Sequence, residues 1–129
     1  MHPSSCQDAI THGEHLFHTG HIQEALQVFE SIIEKEPYNI LALNNKGVVL
    51  HALRSYVEAE QIFLHILCQV NNIDNAIFNL IALYIDQYNI RTAEDILLKY
   101  GACLSKQDIH ELKEKLHTIQ NVLDPTHQT

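Results

Sequence analysis

The sequence predicts an all-α fold of about seven helices, assembled as stacked helical hairpins with a closing helix. Three observations lead there. Ala25, Ala59 and Ala93 recur every 34 residues, and four residues after each stands a bulky apolar side chain, Phe29, Phe63 or Leu97. Only four Gly and three Pro occur in 129 residues, which leaves little punctuation for short strands and favours long helices joined by tight turns. Near the end, Ile109, Leu112, Leu116, Ile119 and Leu123 form a one-sided stripe at helical spacing.

Taken in order, the predicted helices span 6–19, 22–36, 39–53, 56–70, 73–87, 90–100 and 106–122. The first opens on Ser5 with Asp8 three residues on, an N-terminal capping pattern that returns at Ser105 and Asp108. Gly13 and Gly47 on first helices, and the three alanines on second helices, are small enough to let paired backbones approach. The large residues at 29, 63 and 97 then fill the space between units. Gly20 suits the turn between helices because it tolerates positive φ, and Gly101 stands where a C-terminal glycine belongs. A single hairpin cannot bury its apolar face alone, so neighbours must stack. The last helix sets Lys106, Glu111, Lys113, Glu114 and Gln120 opposite its stripe and would cover the end of the stack. With its own start and a closing helix, the chain reads as a complete protein.

The skeleton Gly13…Gly20…Ala25…Phe29…Pro37 resembles the tetratricopeptide repeat, and Leu43…Gly47…Leu50…Tyr56…Ala59…Phe63 matches nearly as well. The third unit departs from it: Ile81 replaces the small residue, Tyr88 the turn glycine and Ser105 the proline. The resemblance covers roughly residues 6–105 and implies a right-handed helical-hairpin solenoid, the tetratricopeptide superhelix. The expected organisation is an N-terminal extension over 1–5, units at 6–39, 40–73 and a degenerate 74–105, a capping helix at 106–123 and a flexible tail at 124–129.

In that family the first helices line a concave groove that holds a partner. Carried over, the groove comprises Ile10, Glu14 and Phe17 from the first unit, with Gln7, Thr11 and His18 beside them. The second contributes Leu41, Asn44, Asn45, Val48 and His51, and the third Asn75, Phe78, Asn79 and Ala82, with Ile85 and Asp86. Asn45 and Asn79 are equivalent positions, and an amide offers a donor and an acceptor to the backbone of an extended peptide. Ile10, Phe17, Leu41, Val48, Phe78 and Ile85 make the surface apolar, as interfaces are, although Leu41 and Ile85 are the two expected to pack inside. The chaperone-type grip on a C-terminal carboxylate is absent: Ile10, Asn75 and Asn79 stand at its basic positions and Glu14 replaces an asparagine.

Composition narrows the rest. A formal charge of −8 weighs against nucleic acid, and residues 1–34 contain no Lys or Arg, so a partner there is neutral or basic. No stretch approaches the roughly 18 apolar residues of a membrane span. Cys6, Cys68 and Cys103 are odd in number and widely spaced, which argues against disulfides or zinc and for a reducing cytoplasm. His12, His15, His18 and His21 recur every third residue and drift around their helix instead of sharing one ligand face. No phosphate loop, nucleophile elbow or catalytic Cys/His spacing is readable. The expectation is therefore a cytoplasmic adaptor or scaffold, not an enzyme, without metal or cofactor, that binds a peptide or helix of a protein partner. A three-repeat secretion chaperone, a regulatory module of an enzyme such as a glycosyltransferase, and self-association stay open.

Overall fold

A computed structural model describes residues 5–69 and 74–123. Its elements are α1 (Cys6–His18), α2 (Ile22–Lys35), α3 (Ile40–Ala52), α4 (Tyr56–Gln69), α5 (Asp74–Asp86), α6 (Ile90–Tyr100), a short 3-10 turn (Gly101–Cys103) and α7 (Lys106–Leu123). The fold is all-α, made of helical hairpins, with no strand among the described residues. Helix ends fall within one residue of the predicted ones wherever these are described. The first four residues, the 124–129 tail and the predicted helix ends at 70 and 73 lie outside the described residues. The chain divides into two compact units, Met1–Ile66 and Leu67–Thr129, and the boundary falls inside α4.

Three turns are copies of one another. After α1, His21 N–H donates to the Leu16 carbonyl at 2.8 Å and Gly20 N–H to Phe17 at 3.2 Å. Shifted by 34 residues, Ser55 donates to Leu50 and Arg54 to His51; shifted again, Asn89 donates to Tyr84 and Tyr88 to Ile85. This is the Schellman pattern, whose penultimate residue must be left-handed. Gly20, Arg54 and Tyr88 accordingly have φ of 88°, 63° and 60°. Only the first is glycine. The other two accept a conformation that costs an L-residue about 1–2 kcal/mol, because the hydrogen-bonded hairpin around them requires it.

In the first unit, α1 packs on α2 and α3, and α2 packs on α3. The glycines work by what they leave out. A Cβ on Gly13 would lie 2.7 Å from Phe29 Cε1 and Cζ, and one on Gly47 would lie 2.6 Å from Phe63 Cε1. Each phenylalanine ring thus sits against bare helix backbone, and both rings are buried, at 1% and 0% exposure. Ile10, Ala25, Phe29, Ile32, Ala42 and Val49 form one core cluster around the first ring. The junctions are tied by polar groups. Asn39 caps α3 by accepting from Ala42 N–H at 3.0 Å, and its amide donates to Glu36 Oε2 at 2.9 Å. The same carboxylate accepts the Cys6 thiol from the start of α1. Those two hydrogen bonds, Asn39 first, hold Glu36 below the usual carboxylate range; its acceptance from Cys6, with some burial, pushes the thiol up.

In the second unit, α5 packs on α6 and α7, and α6 on α7. The small-against-ring arrangement is gone: Ile81 occupies the glycine position at 0% exposure, and Leu97 at the ring position is only half-buried. The run from Leu80 to Ile85 is buried throughout. Leu112 and Leu116 of α7 are buried, its charged residues face out, and Leu123 at its end is exposed. Ser105 Oγ accepts from Asp108 N–H at 3.0 Å, as Ser5 does from Asp8 at 3.1 Å, so both predicted caps form. Gly101 does not act as expected. Its φ of −58° is right-handed, because the chain tightens into the 3-10 turn instead of reversing.

Candidate partner-binding surfaces

On the first unit, α1 and α3 converge on a cleft of about 140 Å³ lined by Glu14, Phe17, His18, Asn45 and Val48, over Phe29 and Val49. Four of the predicted groove residues, Glu14, Phe17, Asn45 and Val48, are therefore brought together. The 34-residue spacing explains it: Glu14 and Val48 are equivalent positions on successive first helices. Phe17 and His18 meet edge to face at 5.7 Å. Glu14 and His18 are exposed, while Phe17, Asn45 and Val48 are half-buried. The cleft thus has an apolar floor, one carboxylate and one amide at its wall. Thr11, which interrupts the asparagine row, turns its hydroxyl back to the Gln7 carbonyl at 3.0 Å.

Other predicted groove residues fall elsewhere. Ile10 is 3% exposed and belongs to the core cluster, since its position on α1 points toward Phe29 and Ile32. It cannot line an open surface. Leu41 corrects the expectation in the opposite sense: expected to pack inside, it is 52% exposed. It is in phase with Gln7 and Asn75, which are exposed too, so the position faces outward in all three units. Asn44 and His51 are half-buried, and the His51 ring lies edge-on to Tyr56 at 5.8 Å.

On the second unit, α5 presents Asn75 as exposed and Phe78 and Asn79 as half-buried. Ala82 is buried, in phase with Glu14 and Val48 but packed where they are open, and Ile85 is buried as expected. A groove of about 470 Å³ between α6 and α7 escaped the sequence reading; Leu97, Leu98, Ile109 and Leu116 give it apolar walls. Gln120 donates to Glu94 across its rim at 2.9 Å. Leu98, 85% exposed, was its one available sequence signal: an apolar residue beside the repeat's large residue at 97.

Among the described residues no three His, Cys, Asp or Glu side chains are placed to hold a metal ion. No described helix is long and apolar enough to cross a membrane. Residues 14–117 match the sequence profile of the coatomer epsilon subunit family. No curated protein matches the chain.

Proposed function

The chain belongs to the coatomer epsilon subunit family, and on that premise we propose that it is a helical interaction scaffold within a protein complex, without catalysis of its own. Its hairpins are read as tetratricopeptide units, and its place as the cytoplasm, on the cytosolic face where a coat assembles. The α1/α3 cleft receives an apolar side chain from a helix or extended segment of a neighbouring subunit. The observation that carries this reading is the convergence of Glu14, Phe17, Asn45 and Val48 on one cleft. Phe17 and Val48 supply the apolar seat, and the Asn45 amide supplies a donor and an acceptor for the partner's backbone. Glu14 favours a neutral or basic segment, as does the surrounding acidic surface: residues 5–36 carry six carboxylates against Lys35 alone. Asn79 on α5 is the equivalent amide on the second unit.

The test is affinity capture from the source cell with the wild-type chain, Glu14→Lys and Asn45→Ala, read by quantitative mass spectrometry. Wild type should retain one or more partner subunits, and Glu14→Lys should lose them by about tenfold at unchanged helicity. Equal recovery by both variants would remove the cleft from the interface.

A further inference from the structure

The outer face of the first hairpin is a second binding surface. Lys46 on α3 pairs with Glu30 on α2 at 3.5 Å, which marks the side of α3 turned toward the preceding helix. In the 34-residue register that side carries Ile40, Leu43, Lys46 and Leu50, and Leu43 and Leu50 are buried. The equivalent side of α1 carries Cys6, Ala9, His12 and Leu16. Here it is open, and with Val28 and Ser31 of α2 it lines a groove of about 470 Å³. Smaller residues at two of the four positions, Cys6 for Ile40 and Ala9 for Leu43, leave the room that a helix's side chains would fill.

The charges at this groove specify the occupant. Glu24 and Lys35 stand at opposite ends of its α2 wall, eleven residues apart in sequence, which is about 16 Å or three helical turns. His12 occupies the position from which Lys46 holds a carboxylate. We infer that the α1/α2 outer face docks a three-turn amphipathic helix of another protein. That helix carries apolar residues at i, i+4 and i+7, a carboxylate opposite His12, a basic residue opposite Glu24 and an acidic one opposite Lys35. It takes the place on α1 that α2 takes on α3. This surface is distinct from the α1/α3 cleft and does not depend on it.

The probe is a labelled, helix-stapled peptide of residues 22–35 of this chain, in which Glu24→Lys and Lys35→Glu exchange the end charges and Glu30 is kept. Titrated with the full chain, it should bind saturably by fluorescence anisotropy, and at least threefold more tightly than the unexchanged peptide. Ala9→Arg should weaken it at least tenfold. Ser31→Arg, at an exposed rim position where folding is not at stake, should do the same at unchanged circular dichroism. Absent saturable binding, or equal affinity for both peptides or for Ser31→Arg, overturns the proposal. So does sedimentation showing that the chain self-associates and that Ser31→Arg abolishes it, because the face would then belong to a second copy.

Discussion

The two units solve one packing problem differently. In Met1–Ile66 a phenylalanine ring lies on a bare stretch of helix, twice: Phe29 on Gly13 and Phe63 on Gly47. In Leu67–Thr129 the glycine has become Ile81 and the ring Leu97. The first solution gives close contacts of fixed geometry, with no space for one more carbon. The second spreads burial along α5, from Leu80 to Ile85, and uses α7 to cover its end. The first unit has no such cover on its α1/α2 face, and there the deepest cleft walls are small or half-buried residues. Tight internal packing and an open outer face therefore coexist in one unit, while looser packing and a closed end coexist in the other.

The sharpest way to break this contrast is to cut the large residues. Phe29→Ala or Phe63→Ala should cost about 3–5 kcal/mol by denaturant unfolding, the usual range for a buried ring. Leu97→Ala, half-buried at the α6/α7 groove, should cost about 1–2 kcal/mol, below the range for fully buried leucines. Equal losses would mean that Leu97 packs as the rings do. Next in size, Gly47→Ala should destabilise by about 1–3 kcal/mol through overpacking against the Phe63 ring, a cost that outweighs alanine's helical advantage of about 1 kcal/mol. Gly101→Ala should have the opposite sign, because its φ is right-handed and a Cβ there meets only Leu97 Cδ1, at 3.8 Å.

Smaller again, Arg54→Gly and Tyr88→Gly should each raise stability by about 0.5–1 kcal/mol, since glycine removes the left-handed penalty and its own entropic cost offsets part of it. One gain in each unit would show that the turns, unlike the cores, are equivalent. The smallest effect belongs to Cys6 and Glu36. With the carboxylate's folded pKa lowered, its contribution to stability is complete above the usual glutamate value. It is lost as pH falls through the lowered one. The thiol, raised, contributes below the usual cysteine value and loses that contribution as pH rises through the raised one. Cys6 should therefore alkylate with iodoacetamide more slowly than exposed Cys68 near pH 8, and Glu36→Gln should narrow the difference.

Much of this fold was legible because its period is written in residue size. The alanines, the glycines opposite the rings and the caps at Ser5 and Ser105 placed every described helix end within a residue. What escaped was information that size does not carry. Arg54 announces nothing about positive φ; only its distance of 34 residues from Gly20 does. Gly101 looked like a terminator because a glycine after a helix commonly is one, yet the following 3-10 turn needs no left-handed residue. The groove was half legible. Equivalent positions brought Glu14 and Val48 together, but burial of Ile10 and Ala82 and exposure of Leu41 depend on which neighbour each helix face meets. A face such as Cys6, Ala9, His12 and Leu16 shows itself only when set against its buried equivalents.

The three left-handed turns carry one more consequence. Each joint is fixed by backbone hydrogen bonds to carbonyls three and five residues back, and three different side chains, glycine, arginine and tyrosine, occupy the same bend. Substitution is therefore tolerated at these joints, whereas a change of length is not. Deleting a single residue there would turn the following helix by about 100°. Ala59 and Phe63, or Ala93 and Leu97, would swing off the face they now bury. Insertions and deletions at residues 19–21, 53–55 and 87–89 should thus be far more damaging than any exchange of side chain at the same sites.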